Sequence, residues 1–179
     1  MKKFFLMVVA AMMATMSVNA QEKGDFAVGI HGGPTINHIK FMGENENFTR
    51  YSFGIFGQYN LSNHWRMELA ADYSPKKEDV KFWQTGLDFH YIINVSDNFK
   101  IYPLAGFAIQ FIPSYTTVDD SKNSHIEMTV ESGADFGVEL GLGLQYNLGS
   151  NYFISGEYKF EPGFIGDSHN IMLGVGYRF

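Results

Sequence analysis

Histidine and serine are the residues of this chain that could most directly catalyse a reaction, with serine as nucleophile and histidine as its general base. The six histidines are His31, His38, His64, His90, His125 and His169. Ser168 and His169 are adjacent, but neighbouring residues of a strand point to opposite faces. This pair is therefore not expected to share a proton, and we predict that the protein is not an enzyme.

The sequence also offers little for a metal ion or a cofactor. Four acidic residues lie near one another in the longest loop: Asp119, Asp120, Glu127 and Glu131. Their spacing is not that of a calcium-binding EF-hand loop. The Gly-Leu-Gly at 141–143 lacks the third glycine and the following helix of a nucleotide-binding fingerprint. Because there are no cysteines, thiolate metal sites are excluded. We predict neither metal nor cofactor.

Eight charged side chains occur at alternate positions between apolar residues of extended segments. They are Arg66, Glu68, Asp88, Lys100, Glu139, Glu157, Lys159 and Arg178. Bases and acids are equal in number. If the alternation belongs to a closed sheet, these groups face its interior and could pair across it. We therefore interpret them as a structural network of luminal charges.

The apolar-polar alternation that would position these charges recurs eight times, in segments near the 9–11 residues that a strand needs to cross a membrane. The predicted strands cover 25–33, 50–60, 65–73, 81–94, 99–111, 134–148, 152–161 and 169–179. Pro103 predicts an irregularity because proline cannot donate to a ladder. A closed barrel is the sheet that satisfies its backbone in lipid. The predicted fold is all-β, an eight-stranded antiparallel up-and-down transmembrane β-barrel.

Aromatic residues and connection lengths support this interpretation. The outward aromatics gather at both ends of the predicted strands, as in the belts at the two membrane interfaces. Short turns alternate with longer links at 34–49, 75–80, 112–133 and 162–168, the pattern of periplasmic turns and extracellular loops. Alternation persists within the first and third of these links. They are expected to form exposed hairpins, whose strands either pair only with each other or offer an edge to a partner.

The first twenty residues have the composition of an export signal. Lys2 and Lys3 precede an apolar run, and a small residue, Ala20, ends the segment. The run is too short for a membrane-spanning helix. We predict a signal peptide at 1–20 and a barrel domain at 21–179. Cleavage would leave 11 basic and 19 acidic residues, a net charge of −8, which argues against nucleic acid as a partner.

Two local patterns carry a resemblance to a known family. The sequence at 101–107 reads IYPLAGF, and bulky apolar residues alternate to the C-terminus at Ile171, Leu173, Val175, Tyr177 and Phe179. With the eight strands, these patterns resemble the small outer-membrane barrels of the OmpA and OmpX type. The resemblance implies an assembly signal at the C-terminus that the barrel-assembly machinery recognises. It also implies residence in the outer membrane of a Gram-negative bacterium, among lipid and lipopolysaccharide.

The resemblance constrains function less than architecture, because this fold hosts adhesins, anchors, lipid-modifying enzymes and small channels. Lipid A deacylases of this size use a His-x-Ser-Asn motif, which none of the six histidines begins. Our hypothesis is a non-enzymatic structural or adhesion protein that meets an extracellular protein through its loops. The alternatives are a narrow channel for small solutes, lipid modification near His169 and, with a polar exterior, a soluble ligand-binding barrel.

Overall fold

A computed structural model describes residues 23–41, 44–77, 80–112, 115–119, 126–130, 132–162 and 166–179. Every regular element among them is a β-strand, and none of these residues forms a helix of the length and hydropathy needed to cross a membrane. The strands are β1 (Phe26–Phe41), β2 (Glu44–Asn60), β3 (Trp65–Lys77), β4 (Val80–Tyr91), β5 (Ile93–Asn94), β6 (Phe99–Ile112), β7 (Tyr115–Asp119), β8 (Ile126–Val130), β9 (Gly133–Leu148), β10 (Tyr152–Pro162) and β11 (Gly166–Arg178).

The strands form a closed antiparallel barrel. Each pairs with its neighbour in the chain, β6 pairs with β9 across the β7–β8 hairpin, and β11 returns to β1. With β5 counted as the continuation of β4, the barrel has eight strands. Paired residues followed around it from Phe26 lead back to β1 at Ile36, ten positions further along. This stagger accompanies a tilt of about 40° and an interior that side chains fill.

The two faces of each strand follow the predicted alternation. Leu173 and Leu142 on the outside are 71% and 64% exposed, whereas Arg66 and Asp88 on the inside are fully buried. An apolar exterior and a polar interior whose groups can satisfy one another are what a barrel surrounded by lipid requires. The predicted eight-stranded fold is confirmed.

Three prolines mark the places where a ladder is interrupted. The β4–β6 ladder lacks the pair that Tyr91 would make with Pro103, which separates β5 from β4. On its other side, Pro103 remains within a continuous ladder with β9. Pro34 is likewise missing from the β1–β11 ladder alone, and β3 and β4 shift register around Pro75. The irregularity predicted from Pro103 is confirmed, and it affects the neighbouring strand.

Several strands extend further than the sequence pattern predicted. The link expected at 34–49 is mostly strand, because β1 and β2 stay paired without a break from Phe26 opposite Tyr59 to Phe41 opposite Glu44. Pro34 does not end β1, since it loses its ladder partner on one side only. Within the link at 112–133, β7 and β8 pair with each other as a separate two-stranded sheet. The two predicted hairpins are therefore present.

Aromatic rings lie in two belts, one at each end of the barrel wall. Ring contacts within the belts join Trp65 with Tyr91 (5.2 Å), Tyr152 with Tyr177 (5.1 Å) and Tyr73 with Trp83 (4.6 Å). The first two pairs lie at the end with the short turns and the last pair lies at the end with the hairpins. Such belts mark the two membrane interfaces.

Candidate functional site

A cluster of charged side chains fills the middle of the lumen around Lys159. The Lys159 ammonium lies 2.5 Å from Asp88 Oδ2, 3.6 Å from Glu157 Oε2 and 3.8 Å from Glu68 Oε1. All four side chains are buried. We call these four residues the lysine cluster. One base therefore faces three acids from three different strands, and it connects β10 to β3 and β4 across the interior.

Arg66 lies nearer to the end with the short turns, and its partners are not carboxylates. Its Nε and Nη2 donate to His90 Nδ1 at 3.1 and 2.8 Å, and its Nη1 donates to Gln145 Oε1 at 2.6 Å. The guanidinium also lies 4.6 Å from the centre of the Tyr102 ring. Arg66, His90, Tyr102 and Gln145 form what we call the arginine cluster, in which a buried charge is held by neutral acceptors and an aromatic face.

Neutral side chains orient the carboxylates that join the two clusters. The Tyr102 hydroxyl donates to Glu157 Oε1 at 2.6 Å, and Gln58 Nε2 donates to Glu68 Oε2 at 2.6 Å. Tyr102 fits because its ring lies against Gly143, where a Cβ would overlap the ring atoms. The inward glycine thus makes room for the large side chain opposite it. Each carboxylate keeps one oxygen held by a neutral donor, and its other oxygen is directed elsewhere.

The remaining predicted luminal charges lie apart from the lysine cluster. Glu139 is buried on β9 and accepts a hydrogen bond from Gln84 at 3.1 Å. Lys100 is buried near the beginning of β6, and Arg178, at the end of β11, donates to Asn147 at 3.2 Å. Of the four bases, Lys159 alone has a carboxylate of the described residues within 4 Å. The apolar-polar alternation predicted that all eight charged side chains face the lumen, but it did not indicate which of them would be in contact.

The part of the lumen nearer the hairpins contains a pair that the sequence did not single out. His31 Nε2 lies 2.7 Å from Asp72 Oδ1, between β1 and β3. Beside them is a cavity of about 20 Å³, which has room for roughly one water molecule. Both residues are at inward positions of their strands, so the alternation would have found them as luminal groups. Their contact depends on the register around the barrel, which alternation does not reveal.

Ser168 and His169 point to opposite faces, as predicted. The Ser168 hydroxyl donates inward to Asn37 at 3.3 Å, whereas His169 Nδ1 lies 2.6 Å from the Tyr158 hydroxyl on the outside. A bond between two outward polar groups satisfies both where lipid offers no partner. The adjacent serine and histidine therefore do not form a nucleophile-base pair.

Three buried groups in the lumen have the residue types of metal ligands. Glu68, His90 and Glu157 each bring one ligand atom within 4.8 Å of the others. Of the acids considered for calcium, Asp119 and Glu127 belong to the β7–β8 hairpin, while Asp120 and Glu131 lie outside the described residues.

The C-terminal strand closes the barrel with its aromatic ending against β1. The Phe179 amide donates to the Phe26 carbonyl at 2.9 Å, and their rings are 5.9 Å apart. Phe179 nevertheless remains 69% exposed. The outward alternation predicted for this strand is present at Ile171, Leu173 and Val175. Its role in assembly remains a prediction.

Comparisons with solved structures find the same fold in bacterial outer-membrane proteins. The N-terminal barrel domain of OprF from Pseudomonas aeruginosa is 20% identical, with a TM-score of 0.62 over 89% of this chain and 100% of the other. Neisserial surface protein A is 15% identical, with a TM-score of 0.66 over 88% and 100%. Ail, the attachment invasion locus protein of Yersinia pestis, is 19% identical, with a TM-score of 0.59 over 88% and 99%, in a complex with the heparin analogue sucrose octasulfate.

A search of curated proteins finds no match. The sequence itself matches the family described as outer membrane protein beta-barrel domain over residues 6–179. Together with the apolar exterior, the aromatic belts and the closed ladder, this match places the protein in the outer membrane. The chain belongs to the outer membrane protein beta-barrel domain family.

Proposed function

We propose that this protein is a non-enzymatic surface protein whose extracellular hairpins bind another protein. The observation that carries the proposal is the length of the β1–β2 hairpin. Tyr51, an exposed aromatic residue towards the hairpin end of the barrel, pairs with Pro34, and the ladder continues beyond it through seven further pairs to Phe41 opposite Glu44. Strands that only needed to span the membrane would end at the belt. The extra length presents backbone to the medium outside the cell.

The geometry of this hairpin suits recognition by strand addition. The β2–β3 ladder ends at Phe53 opposite Tyr73, so the segment 44–48 has its ladder with β1. An edge of this kind offers backbone donors and acceptors that an extended peptide can pair with. The β7–β8 hairpin, which belongs to no larger sheet among the described residues, is a second candidate edge. The alternative is that the two hairpins pair only with each other, and the experiment must distinguish this from pairing with a partner.

Charge narrows the class of partner. The chain has 19 acidic and 13 basic residues, a net charge of −6. An acidic protein repels polyanions at long range and attracts basic ones. Ail, which shares the fold, has been crystallised with a sulfated heparin analogue. For this chain we instead expect a neutral or basic protein partner.

The lumen supports a non-conducting barrel. Arg66, Asp88 and His90 are fully buried inside it, and Tyr102 and Phe153 are 1% exposed. Side chains that fill the interior of an eight-stranded barrel in this way leave little room for solutes to pass, which supports the proposal. We expect planar bilayers containing the protein to show no conductance. That result would exclude the alternative function as a channel for small solutes. If the spectra of lipid A and phospholipids stay unaltered when the protein is overexpressed, the alternative function of lipid modification near His169 would be excluded.

The export and assembly steps belong to the same proposal. Residues 1–20 would direct the chain out of the cytoplasm and be cleaved, leaving 21–179 as the barrel domain; residues 1–22 lie outside the described residues. The C-terminal alternation ending at Phe179 would then engage the barrel-assembly machinery. N-terminal sequencing of the outer-membrane protein tests cleavage. Deletion of Phe179 tests assembly, through loss of the heat-modifiable band from that fraction.

The test of binding uses bacteria that display the full chain and a variant with a shortened first hairpin. Replacing residues 39–46 by Asn-Gly keeps the His38–Asn47 pair and closes the strands with a two-residue turn. Adhesion to host cells and to immobilised extracellular proteins is compared between the strains. We expect adhesion to fall to that of cells carrying no barrel.

The matched control replaces the turn residues 61–64 by another short turn at the opposite end of the barrel, which should leave adhesion unchanged. Heat-modifiability on gels establishes that both variants fold. Undiminished adhesion of the shortened variant, of a second variant lacking 115–130 and of a third variant with both changes would contradict the proposal. Adhesion that is lost only when both hairpins are removed would indicate that either edge suffices.

A further inference from the structure

Three polar atoms in the middle of the lumen have no hydrogen-bond partner among the described residues. They are Glu68 Oε1, Glu157 Oε2 and His90 Nε2. The exposed fractions of these residues are 1%, 6% and 0%, and each residue has one ligand atom, a carboxylate oxygen or an imidazole nitrogen, within 4.8 Å of those of the other two. Buried polar groups cost free energy unless they are hydrogen-bonded, so three unpartnered atoms on residues this close together indicate a shared occupant, whose position we call the point of convergence.

The hydrogen-bonding role of His90 Nε2 is set by Arg66. The guanidinium has only donors, and two of its nitrogens are directed at His90 Nδ1. Nδ1 must therefore be the acceptor, with its lone pair facing Arg66. In a neutral imidazole the other nitrogen then carries the proton. His90 Nε2 is thus a buried donor without a partner among the described residues.

Lys159 supplies a second donor to the same point. Its ammonium bonds Asp88 at 2.5 Å and lies 3.6 and 3.8 Å from the unpartnered oxygens of Glu157 and Glu68. Those two distances are too long for hydrogen bonds and short enough to share a bridging molecule. The point of convergence is therefore surrounded by two donors, on His90 and Lys159, and two acceptors, on Glu68 and Glu157.

We propose that a single enclosed water molecule occupies this point, accepting from His90 Nε2 and Lys159 Nζ and donating to Glu68 Oε1 and Glu157 Oε2. Water matches this set of two donors and two acceptors, and buried waters usually make two to four such bonds. A divalent metal ion does not match, because it needs the lone pair of Nε2 and would lie beside the lysine ammonium and the arginine. An ammonium ion offers no acceptor. The water joins the lysine cluster to the arginine cluster.

The experiment is nuclear magnetic resonance on the full barrel, isotope-labelled and folded in detergent micelles. Long-range nitrogen-proton spectra report which imidazole nitrogen of His90 carries the proton. The resonance is identified by its loss in His90→Gln or, if that variant does not fold, by contacts with the Tyr102 ring, whose centre lies 4.8 Å away. We expect the Nε2-protonated form. A rotating-frame cross-peak of the sign of a bound water, and not of chemical exchange, should connect that proton to water.

Millimolar manganese chloride separates water from a metal ion at the same place. We expect the His90 signals to keep their line widths and the unfolding midpoint to stay unchanged. Proton on Nδ1, no cross-peak to bound water, or selective broadening of His90 by manganese would each overturn the proposal. His64, which is exposed on a turn, provides the internal control for non-specific broadening.

Discussion

The lysine cluster and the arginine cluster each hold a buried cation inside the barrel, but they compensate its charge differently. Lys159 is surrounded by carboxylates of Glu68, Asp88 and Glu157. Arg66, fully buried a short distance away, is held by an imidazole, an amide oxygen and the face of a tyrosine. One cation is neutralised by opposite charge, and the other is solvated by neutral dipoles. We therefore expect these two buried bases to contribute unequally to the stability of the barrel.

This difference follows from where acids and bases lie along the barrel. Arg66, Lys100 and Arg178 lie near the strand ends at the short turns, whereas Asp72 and Glu139 lie towards the hairpins. The lysine cluster lies between the two groups and holds more acids than bases. Lys159 therefore compensates a surplus of negative charge, while Arg66 lies in a region of positive charge. We therefore expect the loss of Lys159 to lower the free energy of unfolding more than the loss of Arg66.

The largest effect is expected for Lys159→Met. The change keeps the length of the side chain and leaves three buried carboxylates without their cation. Breaking a buried ion pair by removing one partner costs about 3–5 kcal/mol. The measurement is the free energy of unfolding in urea, in lipid vesicles, followed by the fluorescence of the two tryptophans.

A double variant separates lost charge compensation from lost packing. If carboxylate repulsion destabilises Lys159→Met, adding Asp88→Asn should recover part of the free energy of unfolding. Lys159→Arg, which keeps the positive charge, is the conservative control. A double variant that is less stable than Lys159→Met itself would contradict the electrostatic explanation and favour packing.

A smaller loss is expected for Arg66→Met, because the partners left behind are neutral. His90 Nδ1 and Gln145 Oε1 lose their donor. One hydrogen bond to a charged group contributes about 1.5–3 kcal/mol. Removing the buried guanidinium also removes its desolvation cost, which offsets part of the loss. The same urea titration measures the loss. Arg66→Met as destabilising as Lys159→Met would show that the two clusters do not differ in the way proposed.

The sequence predicts the environments of these clusters better than their contacts. Alternation around Trp65 and Arg66 indicates which side chain faces lipid, because the two faces of a strand have different solvents. It does not reveal that Lys159 on β10 meets Asp88 on β4, since those strands are not neighbours in the wall and the contact crosses the lumen. The stagger around the barrel decides such contacts, and it is a property of all eight strands together.

The strand ends show a similar limit. The first strand was predicted to end at residue 33, but β1 continues through Pro34, because the loss of one backbone donor matters only for the ladder that would have used it. Which neighbour loses that bond depends on the direction in which the proline nitrogen points. The sequence pattern therefore predicted the irregularity near Pro103 without indicating that Tyr91 and Ile92, on the facing strand, would be left out of the ladder with β6.

Packing beside the arginine cluster gives the next prediction. A methyl group added by Gly143→Ala would overlap the ring of Tyr102, which bonds Glu157 and stacks on Arg66. Overpacking of this kind costs about 1–3 kcal/mol. Gly156→Ala is the matched control, since its added methyl would have Leu173 at an ordinary 3.4 Å. Equal stabilities of the two variants would mean that Tyr102 moves without cost.

The smallest effect is expected for Lys100→Met. This variant extends the comparison to a buried base that has no carboxylate close to it. Lys100 is buried, and no carboxylate of the described residues lies within 4 Å of its ammonium. Replacing a buried charge that no nearby carboxylate neutralises by an apolar side chain of similar volume removes its desolvation cost, so the change is expected to be neutral or stabilising. We expect the free energy of unfolding to change by less than about 1 kcal/mol. A loss as large as that of Lys159→Met would mean that burial alone, and not the surrounding carboxylates, decides the contribution of a luminal base.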